Sequence, residues 1–255
     1  MNKVFSITSM GLGLLMAASC TSHYQLGSVS QTRLVIDSRY DASPDPQAAA
    51  FIAPYKHQVD SVMGPVVGTV ACNMAAGRPE SNLSNLLPDI LMWASKQYGE
   101  QPDFAIYNMG GMRAALTRGK VTYGDVLDVA PFENKICFLT LAGDKVLELF
   151  SQIAVRGGEG VSHGVELVIT SDGKLLSAHV NGKEIDPQAS YRIATIDYLA
   201  QGTDGMMAFK YHTDLNAPKE KKNNTRFIII DYFQEKQAQG QAVDAKVEGR
   251  IKIAN

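Results

Sequence analysis

The stretch Phe104-Ala105-Ile106-Tyr107-Asn108-Met109-Gly110-Gly111-Met112-Arg113 decides how this chain is read. Its first four residues are apolar or aromatic and give a short buried strand. The strand then runs into paired glycines, which let backbone come close to a ligand. Asn108 supplies amide groups and Arg113 a guanidinium, donors that suit a base or sugar edge and a phosphate. The same run also fits a tight structural turn with a surface arginine.

Working outward, helices and strands alternate early and strands cluster in the middle. Helical spacing covers residues 47–63, with Pro44 and Pro46 as start signals. A strand is expected over 66–74 and a helix over 81–98. Ser81 or Asn82 caps that helix, Gly99 ends it, and Pro88 predicts a kink or a late start. A short helix at 122–129, a strand at 135–141 and an amphipathic helix at 143–155 follow. Strands at 164–169 and 175–180 flank the turn at Ser171-Asp172-Gly173-Lys174, and Asn181-Gly182 makes a tight turn. A strand at 191–195, a long helix at 225–239 and an edge strand at 251–253 complete the pattern. This order predicts a mixed α/β, or α+β, layered domain.

Hydrophobic residues make up 45% of the 255 and charged residues 20%, which predicts a real core. The formal charge of −2 argues against nucleic acid as a partner, because backbone binding needs a clustered basic excess. Near the N-terminus, Lys3 precedes an apolar run from Ile7 to Met16 and then Ala17-Ala18-Ser19-Cys20. This reads as a lipoprotein signal over residues 1–20, with a lipid carried on Cys20, although Ala17 stands where leucine is usual. The alternative is an ordinary secretory signal cut near Ser19. Residues 21–33 read as a polar tether and residues 34–255 as one domain. The expected location is the bacterial cell envelope, membrane-anchored on the periplasmic side. Cys72 and Cys137, each in an apolar strand-like run, read as two buried thiols that never meet, and the alternative is a disulfide between them in an exported chain.

Two further loops carry chemistry. Ala130-Pro131-Phe132-Glu133-Asn134 holds an aromatic ring at a helix–strand junction, either as a core plug or as a stacking face for a heterocycle. Asp197-Tyr198-Leu199-Ala200-Gln201-Gly202-Thr203-Asp204-Gly205 offers a second ring and a carboxylate that can accept from a sugar diol. The alternative for this loop is a turn stabilised by the Asp side chain. No metal-ligand set is visible: the five histidines stand alone, outside the D-x-H, G-N-H or H-x-H patterns of two-metal hydrolases.

Taken in order, these runs resemble the C-terminal domain of the 5′-nucleotidase family. The motifs are Arg78 to Leu86, N-x-G-G-x-R, Y-G-D-V-x-x-x-x-P-F-x-N from Tyr123 to Asn134, D-Y-L-A-x-G-x-D-G, and Val247 to Ile251. The likeness spans about residues 66–253. It implies a four-layer α/β/β/α fold that grips a nucleoside or nucleotide. By motif, Phe132 and Tyr198 sandwich the base. Asn108 contacts it, with Gly110 and Gly111 beside it and Asn134 in support. Asp204 holds the ribose hydroxyls, and Arg113 the ribose and phosphate side. Gly164 offers backbone to the base edge, and Arg78 lies one residue off the spacing at which some relatives place a phosphate-binding arginine.

Relatives carry a metallophosphoesterase domain ahead of this one. Here an export signal and tether take its place, so a stand-alone chain without cofactors of its own is expected. A separate exported metallophosphoesterase would then supply the divalent metals. Two other readings stay open: a lipoprotein that binds nucleosides without hydrolysis, and a structural protein whose pocket has decayed.

Overall fold

The computed structural model describes residues 26–42 and 45–254. Cys20, the signal, Pro44 and the first part of the tether lie outside these residues. The chain divides into two units, with the boundary between Phe51 and Ile52. The expected boundary at 33/34 therefore lies within the first unit. In that unit residues 26–37 have no regular structure, and Ser38–Tyr40 form a 3₁₀ turn capped by the Asp37 carboxylate. Helix α1 (Pro46–Met63) begins at Asp45, whose Oδ1 accepts from the N–H groups of Gln47 and Ala48. It crosses the boundary. Among the described residues, no helix is long and apolar enough to cross a membrane.

The second unit is built on a five-stranded sheet. Its strands are β2 (Phe104–Tyr107), β4 (Ile136–Ala142), β5 (Gly160–Val161), β9 (Ser190–Ile196) and β10 (Thr213–Asn216), in the order β10-β4-β9-β2-β5. All four residues of β2 and five of the seven in β4 are buried, in keeping with the apolar runs Phe104–Tyr107 and Ile136–Leu139. Helix α2 (Asn82–Ala94) packs on β2, β5 and β9. Helix α4 (Gly143–Val155) packs on β4 and β9 and also on a four-stranded sheet. That sheet has the order β11-β6-β7-β8, from β6 (Val165–Thr170), β7 (Leu175–Val180), β8 (Lys183–Glu184) and β11 (Ile251–Ala254). Helix α6 (Thr225–Ala238) packs on α2, on α3 (Tyr123–Val129) and on a ribbon of β1 (Val66–Val70) with β3 (Gly119–Thr122). The fold is mixed α/β.

Most elements fall within one or two residues of expectation. Strand β1 stops at Val70, short of Met74, so Cys72 is half-buried in a loop rather than inside a strand. Cys137 is buried in β4, and burial pushes its thiol up to about 12. Both thiols are free. Helix α2 starts promptly, because Ser81 and Ser84 form a reciprocal capping box. It runs through Pro88. The Ser84 carbonyl, which Pro88 has no N–H to serve, faces the Gly160 backbone, where a Cβ would lie 2.7 Å away.

The sheet's connectivity creates one functional end. β2 and β9 are parallel neighbours, pairing Phe104 with Ile193 and Ala105 with Ala194. The loops that follow them therefore leave at the same edge. β4 runs antiparallel to β9, with its first residue, Ile136, opposite the last, Ile196. The loop entering β4 arrives at that edge as well. Carboxyl ends of neighbouring strands are where open α/β sheets bind ligands.

Candidate functional site

Three loops meet at that end. The strand β2 ends in Asn108 and a 3₁₀ turn, Met109–Gly111. Gly111 is required by crowding, since a Cβ there would lie 2.6 Å from Asn108 Oδ1. The loop after β9 begins as α5 (Asp197–Ala200) and continues through Gly202 to Asp204 and Gly205. Asp204 sits in the left-handed region at φ 52°, a conformation uncommon for side-chain-bearing residues but better tolerated by Asp than by most. The loop before β4 carries Phe132 and Asn134.

Asn108, Gly110, Arg113, Phe132, Asn134, Tyr198 and Asp204 line one cavity of about 330 Å³. Phe132 is 47% exposed and Tyr198 36%, so neither ring is a core plug. Asp204 is held from two sides: Asn108 Nδ2 donates to Oδ2 at 2.7 Å and the Tyr198 hydroxyl to Oδ1 at 2.9 Å. Donation to that carboxylate raises the Tyr198 phenol above its ordinary value, with burial adding to it. Asn108 is buried, and among the described residues its Oδ1 has no hydrogen-bond partner. The geometry thus uses its amide to hold Asp204. A carboxylate offers about four lone-pair sites, so Asp204 keeps capacity for further donors.

Two expected residues fall elsewhere. Gly111 is buried beneath the loop rather than on the cavity wall. Gly164 does not line the cavity either. It accepts the Asn181 N–H at 2.7 Å in the turn before β6, and its φ of 88° and the nearby Asn181 side chain explain the glycine. Arg78 is engaged with protein: its Nε donates to the Gly158 carbonyl at 2.9 Å and its Nη2 to Glu159.

Glu159 and Arg226 hold the site without any signal in the sequence, and Asp197, the first residue of its motif, has a role that the motif does not disclose. Glu159 is buried and accepts from Arg78, from Arg156 Nε at 2.6 Å and from the Met109 N–H, which fixes the glycine turn. Arg226, in the first turn of α6, donates to the carbonyls of Ala130 at 3.2 Å and Pro131 at 2.6 Å, and so holds the Phe132 loop. Asp197 accepts the Lys135 N–H at 3.0 Å and ties that loop to α5. The first and last motifs also meet, away from the cavity. Buried Arg250 forks onto Asp89 at 2.9 and 2.7 Å and bonds Glu248 at 3.0 Å, while Glu80 accepts from Asn85 and from the Glu248 N–H.

Two-metal phosphoester hydrolysis needs clustered Asp, His and Asn ligands. Among the described residues no group of three or more His, Cys, Asp or Glu side chains could hold a metal ion. These residues do not fit such a centre.

The mixed α/β sheet thus carries, at the carboxyl ends of β2 and β9, a cavity with two exposed rings, which is where folds of this kind commonly hold small molecules. Residues 66–211 match the family described as "5′-nucleotidase, C-terminal domain", and the chain belongs to that family. It is similar to the UshA protein of Yersinia enterocolitica, 27% identical over 168 residues, 65% of this chain and 30% of that protein. The trifunctional nucleotide phosphoesterase protein YfkN of Bacillus subtilis is 29% identical over 230 residues, 82% of this chain and 15% of that one. Among solved structures, the 5′-nucleotidase precursor of Thermus thermophilus matches with TM-score 0.69 and 25% identity, covering 84% of this chain and 45% of that chain. The chain thus spans less than half the length of each of these proteins.

Proposed function

We propose that this chain grips the nucleoside part of a nucleotide and serves the hydrolysis of its phosphate ester together with a metallophosphoesterase supplied by a separate exported chain. The observation that carries the reading is the meeting of Phe132, Tyr198, Asp204, Asn108 and Arg113, from three distant motifs, around one cavity. Its volume lies at the small end of ligand pockets, about 300–1,000 Å³, and suits a base with its sugar. Phe132 and Tyr198 offer stacking faces, each worth about 1–3 kcal/mol per base. Asp204, already oriented by Asn108 and Tyr198, accepts from the ribose hydroxyls. Arg113, exposed at the cavity edge, faces the phosphate side.

The chain's share of catalysis in this account is orientation. Holding the ester in register with an attacking group is worth several kcal/mol of barrier, within a range of about 7–11 for ideal positioning. A lipid on Cys20 would place it at the periplasmic side of a bacterial membrane and raise the local concentration of a partner held there. The support for the anchor is the signal-like sequence at residues 1–20.

A phosphate-release assay with AMP and Mn²⁺ tests the division of labour. The chain alone is expected to release none, and adding it to an exported metallophosphoesterase that lacks this domain should lower KM. Metal-dependent release by the chain alone overturns the reading.

A further inference from the structure

Behind the Phe132 loop lies a second cavity of about 370 Å³. Side chains alternate along the extended segment between them: Phe132 and Asn134 line the first cavity, Glu133 and Lys135 the second. Lys135, Lys219, Lys221 and Arg226 bring four cations to this second space, against one carboxylate, Glu133. Among the described residues none of the four forms an ion pair, whereas the neighbouring Lys222 pairs with Glu220 at 2.8 Å. Lys135 and Arg226 are half-buried. Concentrating like charges in a walled space raises a field of several kT that an anion relieves.

The cavity floor adds to that field. Asn224 caps the fourteen-residue helix α6 there, so the positive end of the helix opens onto the cations. Phe227 forms part of the wall, with Tyr123 packed against it at a centroid distance of 6.4 Å. Lys221 Nζ lies 6.0 Å from the centroid of the Phe227 ring, and both side chains line the cavity. Arg226 spends its Nε and Nη2 on backbone carbonyls, none of which neutralises its charge.

We propose that this second cavity is a binding site for a small, multiply charged phosphate anion, separate from the nucleoside cavity. Pyrophosphate is the probe, added to the full chain at constant ionic strength while backbone amide shifts are followed by NMR. Saturable shifts are expected at Lys135 and at residues 219–227. Affinity should fall at least tenfold in Lys219→Gln/Lys221→Gln and about threefold in Lys219→Gln alone; both lysines are exposed, so the fold tolerates the changes. Shifts that fail to saturate, or an affinity equal in wild type and double variant, overturn the proposal. Co-sedimentation with phosphatidylglycerol vesicles separates a soluble anion from a lipid headgroup. Sedimentation that depends on Lys219 and Lys221 without pyrophosphate binding also overturns it.

Discussion

Asn108 and Asp204, 96 residues apart in the chain, are joined at 2.7 Å by a hydrogen bond from Nδ2 to Oδ2. This bond ties the loop after β2 to the loop after β9. In Asn108→Asp two carboxylates would compete for that position, and one would bind a proton with a raised pKa. Nucleoside binding is expected to weaken more than tenfold at neutral pH and to recover as pH falls through the raised value. A titration of affinity against pH checks this, and a flat profile would show that the bond does not orient Asp204.

The two rings contribute differently. Tyr198→Phe keeps the stacking face and loses the bond to Asp204, a change of about 1 kcal/mol in ligand affinity. Tyr198→Ala loses the face as well and should cost about 1–3 kcal/mol more. Equal effects of the two substitutions would place the value of Tyr198 in its hydroxyl alone.

Glu159 is a positioning residue under the glycine turn. Glu159→Ala leaves Arg78 and Arg156 without their carboxylate and the Met109 N–H without an acceptor. Breaking a buried pair costs about 3–5 kcal/mol, and the partial exposure of both arginines puts the expected loss near the lower end. Denaturant unfolding measures it. A loss under about 1 kcal/mol would show that the cluster is not needed for the fold.

Acid should loosen the opposite edge of the sheet. Arg192 donates to both oxygens of Glu100, at 2.8 and 2.6 Å, and holds that carboxyl below its ordinary value of 4.5. A depressed value in the folded chain contributes stability that is present above the unfolded value and lost as pH falls through the folded one. Wild type should therefore lose more of its Tm than Glu100→Gln as pH is lowered from about 5 to about 3. Parallel losses would remove Glu100 from the account.

What the sequence disclosed follows from how local each signal is. Phe104–Tyr107 was legible because four buried residues in a row leave few alternatives, and α4 because its apolar spacing is helical. The cavity residues were legible because each sits in a loop with its own punctuation of glycine or proline. Glu159 and Arg226 were not, since a single charge in a sequence gives no sign of a partner 50 to 96 residues away. Strand β10 escaped because all four of its residues are exposed and its pairing with β4 is irregular, so no alternation marks it. At Gly164 the turn itself explains the glycine, through a φ of 88° and the nearby Asn181 side chain, and the sequence alone does not separate that cause from contact with a ligand.

The most direct test is calorimetric titration of the chain with adenosine and AMP, beside Phe132→Ala. Wild type should bind both ligands saturably, and Phe132→Ala should weaken that binding by about 1–3 kcal/mol. Absence of binding, or an affinity untouched by loss of that ring, would contradict the claim that this cavity holds a nucleoside.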